Sequence, residues 1–229
     1  MSVFLHSLYQ YIAQRTYSLI WFVAGILGLV TIYIRLKTIF LVNPDIGGIE
    51  SNIVYSVLRM LSGYPLYDNP EIAPYAITQY SPIYYYLTVG VAQLSGLTPD
   101  DVYYVYIVGR CISLVFNGIY AWGIYQLARK VASPTSISVL VSLVAFCLLP
   151  PQSYARPDSQ YNAFVVWTLL AVIRWMNSDR NKSLLFSTIL VALLAAIALF
   201  CKQSAICLPI IIGGYLVLFS RRPWQIFPF

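Results

Sequence analysis

A series of apolar runs constrains this chain more than any other feature, each close to the roughly 20 residues a helix needs to cross a hydrocarbon core. The first extends from about Tyr17 to Val42 and carries charge only at Arg35 and Lys37. It is too long and too aromatic for a cleaved signal peptide. Others cover about Val102 to Leu127, Thr135 to Leu149, Tyr161 to Met176, Leu184 to Phe200 and Ala205 to Phe219. The 229-residue sequence is 59% hydrophobic and 10% charged, against about half and about a quarter in an ordinary soluble domain. That balance excludes a soluble enzyme, a disordered chain and a collagen-like fibre. Cys111, Cys147, Cys201 and Cys207 lie in or beside apolar runs, without paired ligand spacing, and His6 is the one histidine. They therefore mark neither a disulfide-stapled module nor a metal site. What remains is an all-α, polytopic membrane protein.

Charge sets the expected topology. The net charge of +6 is scattered between apolar runs and forms no basic stripe for nucleic acid. The segment Pro82 to Leu97 is long enough for a short span or a helix at the interface. If it stays out of the core and the N-terminus is cytoplasmic, Arg15, Arg129, Lys130, Arg174, Arg180, Lys182, Arg221 and Arg222 all fall inside. Asp45, Glu50, Asp68, Glu71, Asp100, Asp101 and Asp158 then face outside, leaving Asp179 within. This satisfies the positive-inside rule, whereas a crossing would move two basic clusters outside. Six spanning helices are predicted, forming a single module over residues 1–229 with one large outer loop from about Asn43 to Asp101.

That loop is expected to be structured. After Glu50, Ile53, Val57 and Met60 with Val54, Leu58 and Leu61 recur at helical spacing, and Gly63 stands where a helix C-terminus is capped. A turn-rich stretch follows, Gly63-Tyr64-Pro65-Leu66-Tyr67-Asp68-Asn69-Pro70, and then an interfacial helix opened by Ser81-Pro82. Tyr84, Tyr85, Tyr86, Tyr103, Tyr104 and Tyr106 are expected to form an aromatic belt at headgroup depth, with a minority free to stack on a sugar ring or prenyl chain.

Polar residues gather towards the same side. Asp45 and Glu50 stand where the first helix emerges, Arg156-Pro157-Asp158 in a short outer loop, and Lys202-Gln203 in the next outer connection. Arg110 sits in the outer half of an apolar helix, and Arg35 and Lys37 near the outer end of the first. Charge within or near hydrocarbon marks a functional site by default. The cations suit a lipid phosphate, and a nearby carboxylate suits general-base work on a hydroxyl. Each member also has a simpler role: Arg35 and Lys37 snorkelling, Arg110 pairing with an outer-loop acid, Asp158 capping a helix.

In their order and spacing these residues resemble the GT-C glycosyltransferases. They are similar above all to the branch of protein O-mannosyltransferases and lipid A aminoarabinose transferases. The likeness is carried by the first helix and acidic motif, Gly63-Tyr64-Pro65-Leu66-Tyr67, Tyr80-Ser81-Pro82-Ile83-Tyr84-Tyr85, Arg110 and Ala155-Arg156-Pro157-Asp158, over about Ile34 to Pro209. It implies transfer of a sugar from a polyprenyl-phosphate donor to a lipid, glycan or protein hydroxyl at the extracytoplasmic face, with inversion and without a nucleotide sugar.

By the same resemblance Glu50 is the first candidate base and Asp45 the second. Lys202 would bind the donor phosphate, helped by Arg110 or Arg156. Asp158, Gln203, Tyr67 and Tyr80 would shape the site. No cofactor is expected; a divalent cation at the acidic motif is the alternative to metal independence. Short loops point to a bacterial inner membrane. Relatives run longer, so a truncated or minimal member is expected. The rival is a non-catalytic membrane protein: a donor-binding fragment, a transporter half or a scaffold subunit. A transporter would show repeats and helices broken near the midplane, and neither is evident here.

Overall fold

The computed structural model describes residues 2–42, 47–71, 77–131, 133–147, 154–176 and 184–219. Among them are eight α-helices, one 3-10 turn and no strand. The helices are α1 (Ser2–Ile39), α2 (Ile49–Leu61), α3 (Ile83–Leu94), α4 (Val102–Lys130), α5 (Thr135–Cys147), α6 (Asp158–Met176), α7 (Leu184–Cys201) and α8 (Cys207–Phe219); the 3-10 turn is Gln203–Ile206. Asp45 lies outside the described residues, as do Asp179, Arg180, Lys182, Arg221 and Arg222.

The apolar runs fold as helices whose large side chains stay uncovered. Leu19, Phe22, Leu29 and Tyr33 on α1 are exposed, as are Phe186, Ile189 and Phe200 on α7. Large apolar side chains left uncovered on the face of a helix away from its neighbours suit a hydrocarbon solvent. Gln14–Ile39 within α1 and the whole of α4 are each long and apolar enough to cross a membrane; the apolar stretches described in α5, α7 and α8 are shorter. Helix α6 starts at Asp158, three residues before its apolar run, because the Pro157 carbonyl already accepts from the Tyr161 N–H at 3.0 Å.

Helix α4 is the hub, packing on α5, α6, α2, α3 and α1, while α6 packs on α7. The expected loop helices are both present. Behind α2, Tyr64 N–H reaches the Arg59 carbonyl and Gly63 N–H the Met60 carbonyl, both at 3.0 Å, with Gly63 at φ 86°. This Schellman closure needs a left-handed residue, which glycine adopts without strain. The turn-rich stretch beyond is tied back by an Arg59–Asp68 ion pair at 2.8 Å.

Between α2, α3 and α4 lies a true core. Ile53, Val54 and Val57 pack with Tyr84, Tyr85, Val89 and Val105, all nearly without exposure. Tyr84 and Tyr85 therefore depart from the expected aromatic belt, because Tyr84, Thr88 and Ala92 recur at i, i+4 and i+8 on the buried face of α3. Tyr86, Tyr103 and Tyr104 remain exposed.

Polar ties join α1 to α5. Thr31 Oγ1 and Cys147 Sγ share a hydrogen bond. Arg35 does not snorkel; it is 4% exposed and donates from Nη2 to the Phe146 carbonyl at 2.6 Å. It thereby ties α1 to α5 through a backbone carbonyl. All four cysteines are free thiols.

Candidate active site

The C-terminal ends of α1, α5 and α7 and the N-terminal ends of α4 and α6 come together at one end of the molecule, capped by α2 and α3. Glu50, in the first turn of α2, meets Arg110, on the third turn of α4, through two parallel bonds. Arg110 Nε donates to Oε1 and Nη2 to Oε2, each at 2.8 Å, and neither side chain has exposed surface. The Ala155 N–H also donates to Glu50 Oε1 at 2.8 Å. The remaining terminal nitrogen of Arg110, Nη1, reaches the carbonyls of Thr38, Ile39 and Leu41 at 3.2, 3.3 and 2.5 Å. The rings of Tyr106 and Tyr154 flank the guanidinium at 5.3 and 5.7 Å. A buried ion pair persists where further hydrogen bonds satisfy both ions, and here they do. One side-chain pair thus clasps α2, α4, the end of α1 and the connection into α6.

The same connection is held from its other side. Tyr84 Oη donates to the Gly109 carbonyl at 2.7 Å and lies 3.0 Å from Ser113 Oγ. Burial pushes the Tyr84 phenol well above its ordinary range, which keeps it a neutral donor. Ser113 Oγ lies 3.3 Å from both the backbone N–H and the carbonyl of Arg156. Ser159 Oγ donates to that carbonyl at 3.1 Å. Gly109 permits the close approach, since a Cβ there would stand 2.6 Å from Ala155 Cβ.

Two residues beyond Arg156, Asp158 opens α6 and accepts from Lys202 Nζ at 2.5 Å; the side chains are 23% and 28% exposed. Lys202 follows the last residue of α7 with extended backbone, φ −154° and ψ 130°, which ends the helix and turns its side chain towards α6. The rings of Tyr80 and Tyr161 lie 5.7 and 6.0 Å from Nζ. Tyr67 Oη donates to the Tyr80 carbonyl at 3.1 Å, Thr78 Oγ1 to the Leu66 carbonyl at 2.7 Å, and Gln203 Nε2 approaches the Gln79 carbonyl at 3.5 Å. The result is an accessible ammonium in an aromatic cradle, held by one carboxylate. With about a quarter of each side chain exposed, the pair lies between a surface bridge and a fully buried one. Its chemical capacity is anion exchange: an incoming phosphate can take the place of Asp158 on Lys202.

Lys202, Asp158, Gln203, Tyr67 and Tyr80 thus lie near one another, with Arg156 between them and the clasp. Glu50 and Arg110 also meet, which is the pairing with an outer-loop acid that the sequence offered as the simpler role of Arg110. The Glu50 carboxylate has no exposed surface and three N–H groups on its oxygens, and Arg110 is shared between that carboxylate and three carbonyls. Sequence reasoning missed Tyr161, although its place three residues after Asp158 puts the two on one helix face, and it missed the Ala155 N–H, which has no side-chain signature.

A family model described as dolichyl-phosphate-mannose-protein mannosyltransferase matches residues 79–227. No curated protein and no solved structure matches the chain. Tyr80, Arg110, Arg156, Asp158, Lys202 and Gln203 lie inside the matched segment; Asp45, Glu50 and Tyr67 precede it. The match takes in well over half of the chain and every helix from α3 onward, and the chain belongs to the dolichyl-phosphate-mannose-protein mannosyltransferase family of membrane glycosyltransferases.

Proposed function

We propose that this protein moves a sugar from a polyprenyl-phosphate donor to an acceptor hydroxyl at the extracytoplasmic face, by direct displacement with inversion. The observation that carries this proposal is the accessible Lys202 ammonium between Tyr80 and Tyr161, exchangeably paired with Asp158. Donor phosphate replaces the Asp158 carboxylate on Lys202, with Arg156 beside it. The acceptor oxygen forms a bond to the anomeric carbon while the bond from that carbon to the phosphate oxygen breaks. The electron pair leaves with the polyprenyl phosphate, whose charge Lys202 stabilises. The acceptor proton passes to a carboxylate of the first loop. Asp45 takes that role, because Glu50 is engaged in the clasp. Six spans, α1 and α4 to α8, with the N-terminus inside a bacterial inner membrane, put this end outside. The step requires no metal.

The test is transfer of labelled sugar from polyprenyl-phosphate donors by the purified chain in lipid, comparing wild type with Asp45→Asn and Glu50→Gln. Asp45→Asn should bind donor but not consume it. Glu50→Gln should lose activity in step with loss of folded protein. Wild-type turnover by Asp45→Asn would overturn the assignment of the base. Donor bound through Lys202 yet never consumed by wild type would instead mark a non-catalytic donor-binding chain.

A further inference from the structure

We propose that the groove between α4, α6 and α7 binds an anionic phospholipid of the leaflet opposite the Asp158–Lys202 end. The cavity measures about 670 Å³, within the range of ligand-sized sites. Its walls are apolar, among them Trp122 of α4, Phe164 and Trp167 of α6 and Leu190 of α7. The polar lining residues are Gln126, Lys130 and Arg174. Trp167 is fixed as a wall by its Nε1, which donates to the Ile119 carbonyl at 3.0 Å. Trp122 is 61% exposed along the groove.

The cations are not scattered along the groove. Both α4 and α6 run away from the Asp158–Lys202 end; Lys130 is the last residue of α4 and Arg174 lies in the last turn of α6. They therefore share its far mouth, with Gln126 one turn earlier on α4. Neither cation is paired with an acid among the described residues. A single helix-end cation is ordinary snorkelling. Two at the mouth of one apolar cleft complement a ligand with an anionic head and an apolar tail. At 1.5 Å per residue the path from Ile119 to Lys130 is about 16 Å, close to one leaflet of a core roughly 30 Å thick. The donor lipid does not satisfy this arrangement, since the cation assigned to its phosphate, Lys202, is at the other end of α6.

The experiment is native mass spectrometry of the full chain in detergent, stripped of lipid and titrated with phosphatidylglycerol or phosphatidylcholine of the same acyl chains. The wild type should retain one phosphatidylglycerol in preference to phosphatidylcholine. The double variant Lys130→Gln, Arg174→Gln should weaken that adduct by about five-fold per cation lost. Leu190→Trp, which fills the groove, should remove binding of both lipids. Equal retention of the two lipids by wild type would overturn the proposal, and that comparison stands even where a variant fails to fold. So would indifference of the adduct to both variants, its displacement by one equivalent of polyprenyl phosphate, or a lipid-free dimer closed over the groove.

Discussion

Glu50 and Arg110, 60 residues apart in sequence, form a two-pronged ion pair with no exposed surface on either side chain. Because Arg110 also holds the carbonyls at the end of α1, and Glu50 the Ala155 N–H, the pair joins four segments. Through the Ala155 N–H it holds the connection from 154 to 158 that leads to Asp158.

Removing one partner leaves the other charge buried. Glu50→Gln or Arg110→Met is expected to destabilise the folded chain by about 3–5 kcal/mol. Arg110→Lys should recover little, since an ammonium cannot make the two-pronged contact. The double variant Glu50→Leu, Arg110→Met should recover part of the loss, leaving the carbonyls of Thr38 and Leu41 without their donor. Thermal unfolding in lipid nanodiscs measures all four.

The approach of Ala155 to α4 gives a second expectation. Gly109→Ala would place a Cβ 2.6 Å from Ala155 Cβ and 3.3 Å from the Tyr84 hydroxyl. Overpacking of this kind costs about 1–3 kcal/mol. Adding Ala155→Gly should return much of it. A double-mutant cycle on unfolding midpoints reads the coupling directly, and additive effects would show that the two positions do not touch.

At the accessible pair the sign is reversed. Asp158→Asn should cost less stability than the Glu50 or Arg110 variants, because about a quarter of each side chain of its pair stays exposed. It should tighten binding of the donor phosphate, because the competing carboxylate is gone from Lys202. Donor titrations at low and high salt check this. Looser binding by the variant would mean that Asp158 orients the ammonium and does not compete for it.

Acid titration tests the turn before α4. The Thr98 N–H and hydroxyl donate to Asp101 Oδ2 at 2.8 and 2.7 Å and hold its carboxyl below the ordinary range. A depressed folded-state value means stability that is present above the unfolded value of about 3.9 and lost as pH falls through the folded one. Asp101→Asn should therefore flatten the acid limb of the unfolding midpoint against pH. An unchanged slope would remove Asp101 from the titration.

Much of this was legible in the sequence. Apolar runs located the helices, and the spacing of Ile53, Val54 and Val57 with Gly63 located α2 and its end, because both are local patterns. Lys202, Gln203 and Asp158 could be grouped because each stands in an outer connection between apolar runs, whereas Tyr80 entered only through the family resemblance. The partner of Glu50 was not legible: which cation it meets depends on how α2 lies across α4, a matter of packing between distant segments. For Arg110 the sequence offered both a phosphate role and a pairing with an outer-loop acid, without saying which acid. Tyr84 and Tyr85 were hidden by their neighbours, for a run of three tyrosines reads as an interfacial belt until the face of α3 that packs is known.

The most direct measurement is consumption of a polyprenyl-phosphate sugar by the chain in lipid, comparing wild type, Lys202→Arg and Lys202→Met. Donor should be bound and consumed by wild type, with part of that activity kept by Lys202→Arg. Lys202→Met should lose donor affinity while remaining folded. Equal donor consumption by wild type and Lys202→Met would contradict the assignment of Lys202 to the leaving phosphate.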